Sequence, residues 1–119
     1  MSLEKVFYNK LIRDKIPEKI TNKGSALETR ELSDEEFEKE LIKKVEEEAS
    51  GLQKAESKED FTAEIADIYD VLEEIKKLKN ISDDEIKVAQ QESLEKKGGF
   101  DKKTFLVWSE KDDYKSNEM

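Results

Sequence analysis

The chain has 119 residues, enough for one domain with one modest core. It carries 22 Lys and Arg against 31 Asp and Glu, a net charge of −9, and has no His and no Cys. That composition excludes Ser-His-Asp and Cys-His nucleophiles, His/Cys metal sites and disulfides, and it disfavours a DNA or RNA duplex as partner.

Residues 1–10 read as an extended lead-in around Val6, Phe7 and Tyr8. A short helix is expected from Asp14 to Asn22, with Asp14 as N-cap, Pro17 in the first turn and Gly24 as the stop. The loose alternation over 25–32 is compatible with a short strand. Ser33 with Glu36 three residues on is a capping box and predicts a helix over about 34–55. Its apolar residues Phe37, Leu41, Val45, Ala49 and Leu52 recur every three or four positions. Ser57 caps a second long helix, about 58–79, with the stripe Phe61, Ile65, Ile68, Leu72 and Ile75 and with Asn80 as terminator. Ser82 and Glu85 open a third long helix that ends at Gly98-Gly99. Thr104 to Trp108 is β-prone and is expected to pair with the earlier extended segment. Residues 110–119 read as a disordered polar tail, which leaves a single helical domain over 1–109.

The expected class is therefore all-α, a helical bundle with short extended ends. Two strongly amphipathic helices in one small protomer bury little of each other, so a homo-oligomer, dimer or higher, is expected. No apolar run reaches the roughly 18 residues a membrane span needs. Met1–Lys5 lacks a signal-peptide core, so the cytoplasm is the expected location.

Most acids belong on solvated helix faces, so the informative ones lie among apolar residues. With Leu41 at zero and about 100° per residue, Glu48 falls at about 340°, inside the stripe of the first long helix. With Phe61 at zero, Glu64 falls at about 300° among Val71 and Ile75, and Asp67 at about 240° on the stripe's edge. Three inward carboxylates on consecutive helices repel one another and need compensation. A divalent cation is one compensation, and Mg²⁺ or Mn²⁺ suits oxygen ligands and phosphate. Pairing with Lys or Arg, or a place at the rim of the bundle, is the other account. A second feature is the basic cluster Lys10, Arg13 and Lys15 in an otherwise acidic chain, with a fork and two point charges for phosphate. On the residues alone, ordinary surface charge is the favoured account of it. Lys97 beside Gly98-Gly99 is a third, weaker phosphate candidate.

The stretch Tyr8-Asn9-Lys10-Leu11-Ile12-Arg13-Asp14-Lys15-Ile16-Pro17 resembles the opening signature of a MazG-like branch of the all-α nucleoside triphosphate pyrophosphohydrolases, often labelled phosphoribosyl-ATP pyrophosphohydrolase-like. Glu46-Glu47-Glu48 followed by Glu64-Ile65-Ala66-Asp67 resembles that superfamily's EExxE…ExxD metal motif, and Lys97-Gly98-Gly99-Phe100 with Thr104-Phe105-Leu106 resembles the branch's C-terminal part. The resemblance implies Mg²⁺-dependent cleavage of a nucleotide between its α and β phosphates, as in house-cleaning of aberrant nucleotides, and an oligomeric all-α fold. It implies Glu48, Glu64 and Asp67 as metal ligands. For that chemistry the expected phosphate contacts are Lys10, Arg13, Lys15 and Lys97, and Glu47 is the available candidate to orient or deprotonate the attacking water. The pattern's last acid falls on Gly51, or on Ser50 if Glu46-Glu47 is the pair, so one carboxylate of the motif is missing. Glu47, one turn earlier, or a water is available for that coordination position. The alternatives are a non-catalytic nucleotide- or protein-binding relative, a phosphoribosyl-ATP pyrophosphohydrolase, and a helical interaction module without ligand.

Overall fold

The computed structural model describes residues 4–111, 115 and 119. Among them the chain is all-helical, with α1 at Ile16–Asn22, α2 at Asp34–Lys54, α3 at Lys58–Lys79 and α4 at Asp83–Lys97. None of these helices is long and apolar enough to cross a membrane. The chain groups into two compact units, Met1–Asn80 and Ile81–Met119. The start of the expected lead-in and much of the expected tail lie outside the described residues.

The long helices begin where their serines dictate. The Ser33, Ser57 and Ser82 hydroxyls accept the N–H of Glu36, Asp60 and Glu85 at 3.2, 3.0 and 3.1 Å, each satisfying an amide that the first turn leaves unpaired. Asn80 closes α3 in the left-handed region at φ 56°, where Asn is tolerated, and Gly98 closes α4 at φ 79°. Helix α1 differs from expectation. Its N-cap is Lys15 and no side chain caps it. The Ile16 amide instead donates to the Arg13 carbonyl at 3.0 Å in a turn, which leaves Asp14 without the capping role.

Neither expected strand forms among the described residues. The 25–32 segment is irregular; near its end Arg30 pairs with Glu36 in the first turn of α2 at 2.9 Å. Thr104–Trp108 is irregular and exposed. A strand needs a partner ladder for its backbone groups, and β-propensity alone supplies none.

In the first unit α2 and α3 form an antiparallel hairpin across the short 55–57 link, and Lys79 at the end of α3 pairs with Glu38 near the start of α2 at 2.6 Å. Leu41 on α2 and Val71 on α3 are its buried apolar residues, at 4% and 8% exposure. Half-buried Phe37, Val45 and Leu52 flank Leu41 on α2, and half-buried Ile68, Ile75 and Leu78 flank Val71 on α3. The side of α3 facing α2 is thus rotated from the stripe read in the sequence. Phe61, Ile65 and Leu72, expected inside, are 44%, 40% and 41% exposed. A helix stripe wider than one partner can cover has only part of its width buried by a single neighbour. That rotation moves Asp67 from the margin to a half-buried position, on the same side as Glu64.

The second unit contains α4, the Gly98 cap and a turn in which the Lys103 amide donates to the Phe100 carbonyl at 3.0 Å.

Candidate functional site

Near the linked end of the hairpin, α2 presents Lys44, Glu48 and Gly51 at i, i+4 and i+7, which lie along one ridge of a helix. Helix α3 presents Glu64 and Asp67 at i, i+3. The two helices bring one carboxylate oxygen from each of Glu48, Glu64 and Asp67 within 4.8 Å of one another, and all three residues are half-buried. For scale, two oxygens on opposite sides of one ion are about 4.1 Å apart around Mg²⁺ and about 4.6–5.2 Å apart around Ca²⁺.

The three acids differ in their compensation. Asp67 accepts from the Arg13 guanidinium at 2.8 Å, and the same guanidinium pairs with Asp70 at 2.9 Å. Glu48 lies 3.9 Å from the Lys44 ammonium. Glu64 Oε2 is buried and has no hydrogen-bond partner. Burial pushes the Glu48 carboxyl above the ordinary carboxylate range; a hydrogen-bonding approach to Glu64 and the charges of Asp67 and Glu64 add to this, and Lys44 opposes it. Glu48 therefore resists ionisation unless positive charge is brought in.

The basic N-terminal segment is tied onto the same surface. Asn9, at φ 46°, turns the chain just before Lys10. Lys10 then donates to Glu47 at 2.8 Å, the Leu11 carbonyl accepts from Lys44 at 3.2 Å, and Arg13 spans Asp67 and Asp70. The hydrogen bond to Glu47 holds the Lys10 ammonium above its ordinary pKa and the Glu47 carboxyl below its own. Lys44 also pairs with Glu47, at 3.1 Å. Arg13 is raised chiefly by its bond to Asp70. This connected network holds five carboxylates, Glu47, Glu48, Glu64, Asp67 and Asp70, and three cations, Lys10, Arg13 and Lys44, a formal balance of −2.

Of the residues singled out from the sequence, Glu47, Glu48, Glu64, Asp67, Lys10 and Arg13 thus meet. Lys15 is the exposed N-cap of α1 and Lys97 is the last residue of α4, in the second unit. Two participants escaped sequence reasoning. Asp70 continues the i, i+3 spacing of Glu64 and Asp67, a visible signal, whereas Lys44 is recognisable only as the i, i+3 and i, i+4 partner of Glu47 and Glu48. Two shallow surface depressions lie elsewhere, one lined by Glu36, Lys39, Glu40, Ile42 and Lys43 on α2 and one by Asp84, Glu85, Val88, Ala89 and Glu92 on α4, and none of the clustered acids lines them.

Comparison with family models, curated proteins and solved structures finds no match to this chain.

Proposed function

We propose that the chain is an Mg²⁺-dependent nucleotide pyrophosphohydrolase of MazG-like type, cleaving between the α and β phosphates to give a monophosphate and pyrophosphate. The observation that carries this is the half-buried trio Glu48, Glu64 and Asp67, with Glu64 Oε2 buried and unpartnered, beside Lys10 and Arg13. The donor set fits a hard cation: three carboxylates, no nitrogen or sulfur, and a local charge of −2 that one divalent ion neutralises. Glu48, Glu64 and Asp67 would hold Mg²⁺, with Mn²⁺ as a substitute. Bound there, the ion supplies Lewis-acid polarisation of a phosphate oxygen and orientation of water.

The chain's own groups do the rest. Arg13 offers a planar fork and Lys10 a point charge for phosphate oxygens, where charge accumulates as pyrophosphate departs. Lys15 and Lys97 are phosphate candidates from the sequence alone. Glu47, held by Lys10 and Lys44 and less basic than an ordinary carboxylate, suits orienting a water by accepting its hydrogen bond better than taking its proton. The uncovered Phe61, Ile65 and Leu72 side of α3 supports self-association as part of the same proposal.

The ion pairs of Arg13 with Asp67 and Lys44 with Glu48 favour one competing reading, a binding protein whose acids are balanced by its own cations. A nucleoside triphosphate panel with Mg²⁺ or Mn²⁺, read for pyrophosphate and monophosphate together, decides. Stoichiometric release of both supports the enzyme. Thermal stabilisation by nucleotide without turnover points to the binding protein, and no response to metal or nucleotide points to a helical interaction module.

A further inference from the structure

Gly51 lies in the last turn of α2, on helical backbone where glycine is less favourable than alanine. Its backbone gives no reason for glycine, because the positive-φ glycines are Gly24 and Gly98. What requires it is a close approach. A Cβ at position 51 would stand 2.6 Å from Glu64 Oε2, 2.8 Å from its Cδ and 2.9 Å from Oε1. All three distances are far inside contact range, and all three are to one carboxylate. The same Oε2 is the buried atom without a hydrogen-bond partner.

We propose that Gly51 is a positioning residue, whose missing side chain opens the space in which the Glu64 carboxylate of α3 meets Glu48 and Asp67. The position where the acidic motif lacks its last carboxylate is therefore filled from the neighbouring helix. Glu64 reaches across the hairpin into the volume that a side chain on α2 would occupy. A methyl group there displaces the end of a flexible side chain rather than backbone, so the fold tolerates it while Glu64 is turned away from its two partners.

The functional weight of this inference rests on the cation reading of the cluster, whereas the clearance itself does not, and the experiment separates the two. Gly51→Ala and the double variant Gly51→Ala with Glu64→Asp are compared with the wild type. Without divalent ions, Gly51→Ala should melt no lower than wild type, and up to about 2–6 °C higher from the gain in helix propensity. Mn²⁺ affinity, read by calorimetry or by the spin signal of free Mn²⁺, should fall about 10–100-fold, as when a group that orients a ligand is lost. The shorter Asp at position 64 retreats from the new methyl group and should recover part of that loss. Wild-type affinity in Gly51→Ala overturns the proposal. If the wild type itself binds no Mn²⁺, the cation reading fails, and a crystal structure of Gly51→Ala then decides the clearance. Glu64 turned out of the cluster upholds the positioning role, and Glu64 unmoved overturns it.

Discussion

Removing one charge from the trio should make the metal-free protein more stable. Glu64→Gln keeps the shape of the side chain, deletes one negative charge and gives the crowded acids an N–H donor. At the 4.8 Å limit of the cluster, one pair of carboxylate charges repels by about 1–3.5 kcal/mol for an effective dielectric between that of water and about 20. Glu64 takes part in two such pairs. Arg13 on Asp67 and Lys44 on Glu48 offset much of this, and the half-burial of all three acids admits further solvent screening. A net relief of about 1–2 kcal/mol remains, which raises the melting temperature by about 3–10 °C for a chain of this size. Calorimetric melts in a chelator at neutral pH measure it. Divalent metal should then reverse the order. Wild type gains about 2.7 kcal/mol at a hundred times its dissociation constant, while Glu64→Gln gains little. A Glu64→Gln protein that melts below wild type in chelator, with its helix content intact, refutes the reasoning. Glu64 would then be a net stabilising partner, and the cluster would hold no unmet charge.

Three further outcomes are expected. The folded Glu48 carboxyl is raised, mainly by burial, so the folded state binds its proton more tightly than the unfolded chain. Its contribution is complete below the ordinary carboxylate pKa and is lost as pH rises through the raised one. In chelator, the melting temperature of Glu48→Gln relative to wild type should therefore climb as pH rises from the ordinary carboxylate range through the raised value of Glu48. The lowered Glu47 acts in the opposite sense, losing its contribution as pH falls, but is common to both proteins and cancels in the difference; a difference that shrinks with rising pH contradicts the assignment. Arg13→Gln should tighten Mn²⁺ binding by about 2–5-fold, because an exposed pair competing for Asp67 is removed, yet weaken binding of a non-hydrolysable nucleotide at least tenfold. Movement of both affinities in one direction defeats the dual role. Finally, light scattering should give a multiple of the 13.9 kDa protomer, and Leu72→Lys should shift it toward monomer with helix content preserved. A wild type that is monomeric at assay concentration removes self-association from the proposal.

The sequence by itself determined the elements that depend on neighbours within one turn. Ser33, Ser57 and Ser82 each satisfy an amide three residues on, and Asn80 and Gly98 accept left-handed backbone, so helix ends were legible locally. The same locality misled at Asp14, where a backbone turn took the capping amide, and at 25–32 and 104–108, where strand-like residues have no ladder to join. Helical periodicity picked Glu48 and Glu64 out of 31 acids because they break an apolar stripe. It left Asp67 on the margin, because a stripe fixes which side of a helix is apolar but not which part of that side a neighbour covers. Only the α2–α3 pairing decided that, by burying Val71 and leaving Phe61, Ile65 and Leu72 exposed. The bridge from Arg13 to Asp67 and Asp70 joins residues more than 50 positions apart, beyond any local rule. Gly51 is the sharpest case. In the sequence it is a weak point in a helix and, against the acidic motif the chain resembles, the place of an absent carboxylate. In the tertiary structure it is the clearance that Glu64 uses, because a close approach between two helices is a property of both and is written in neither.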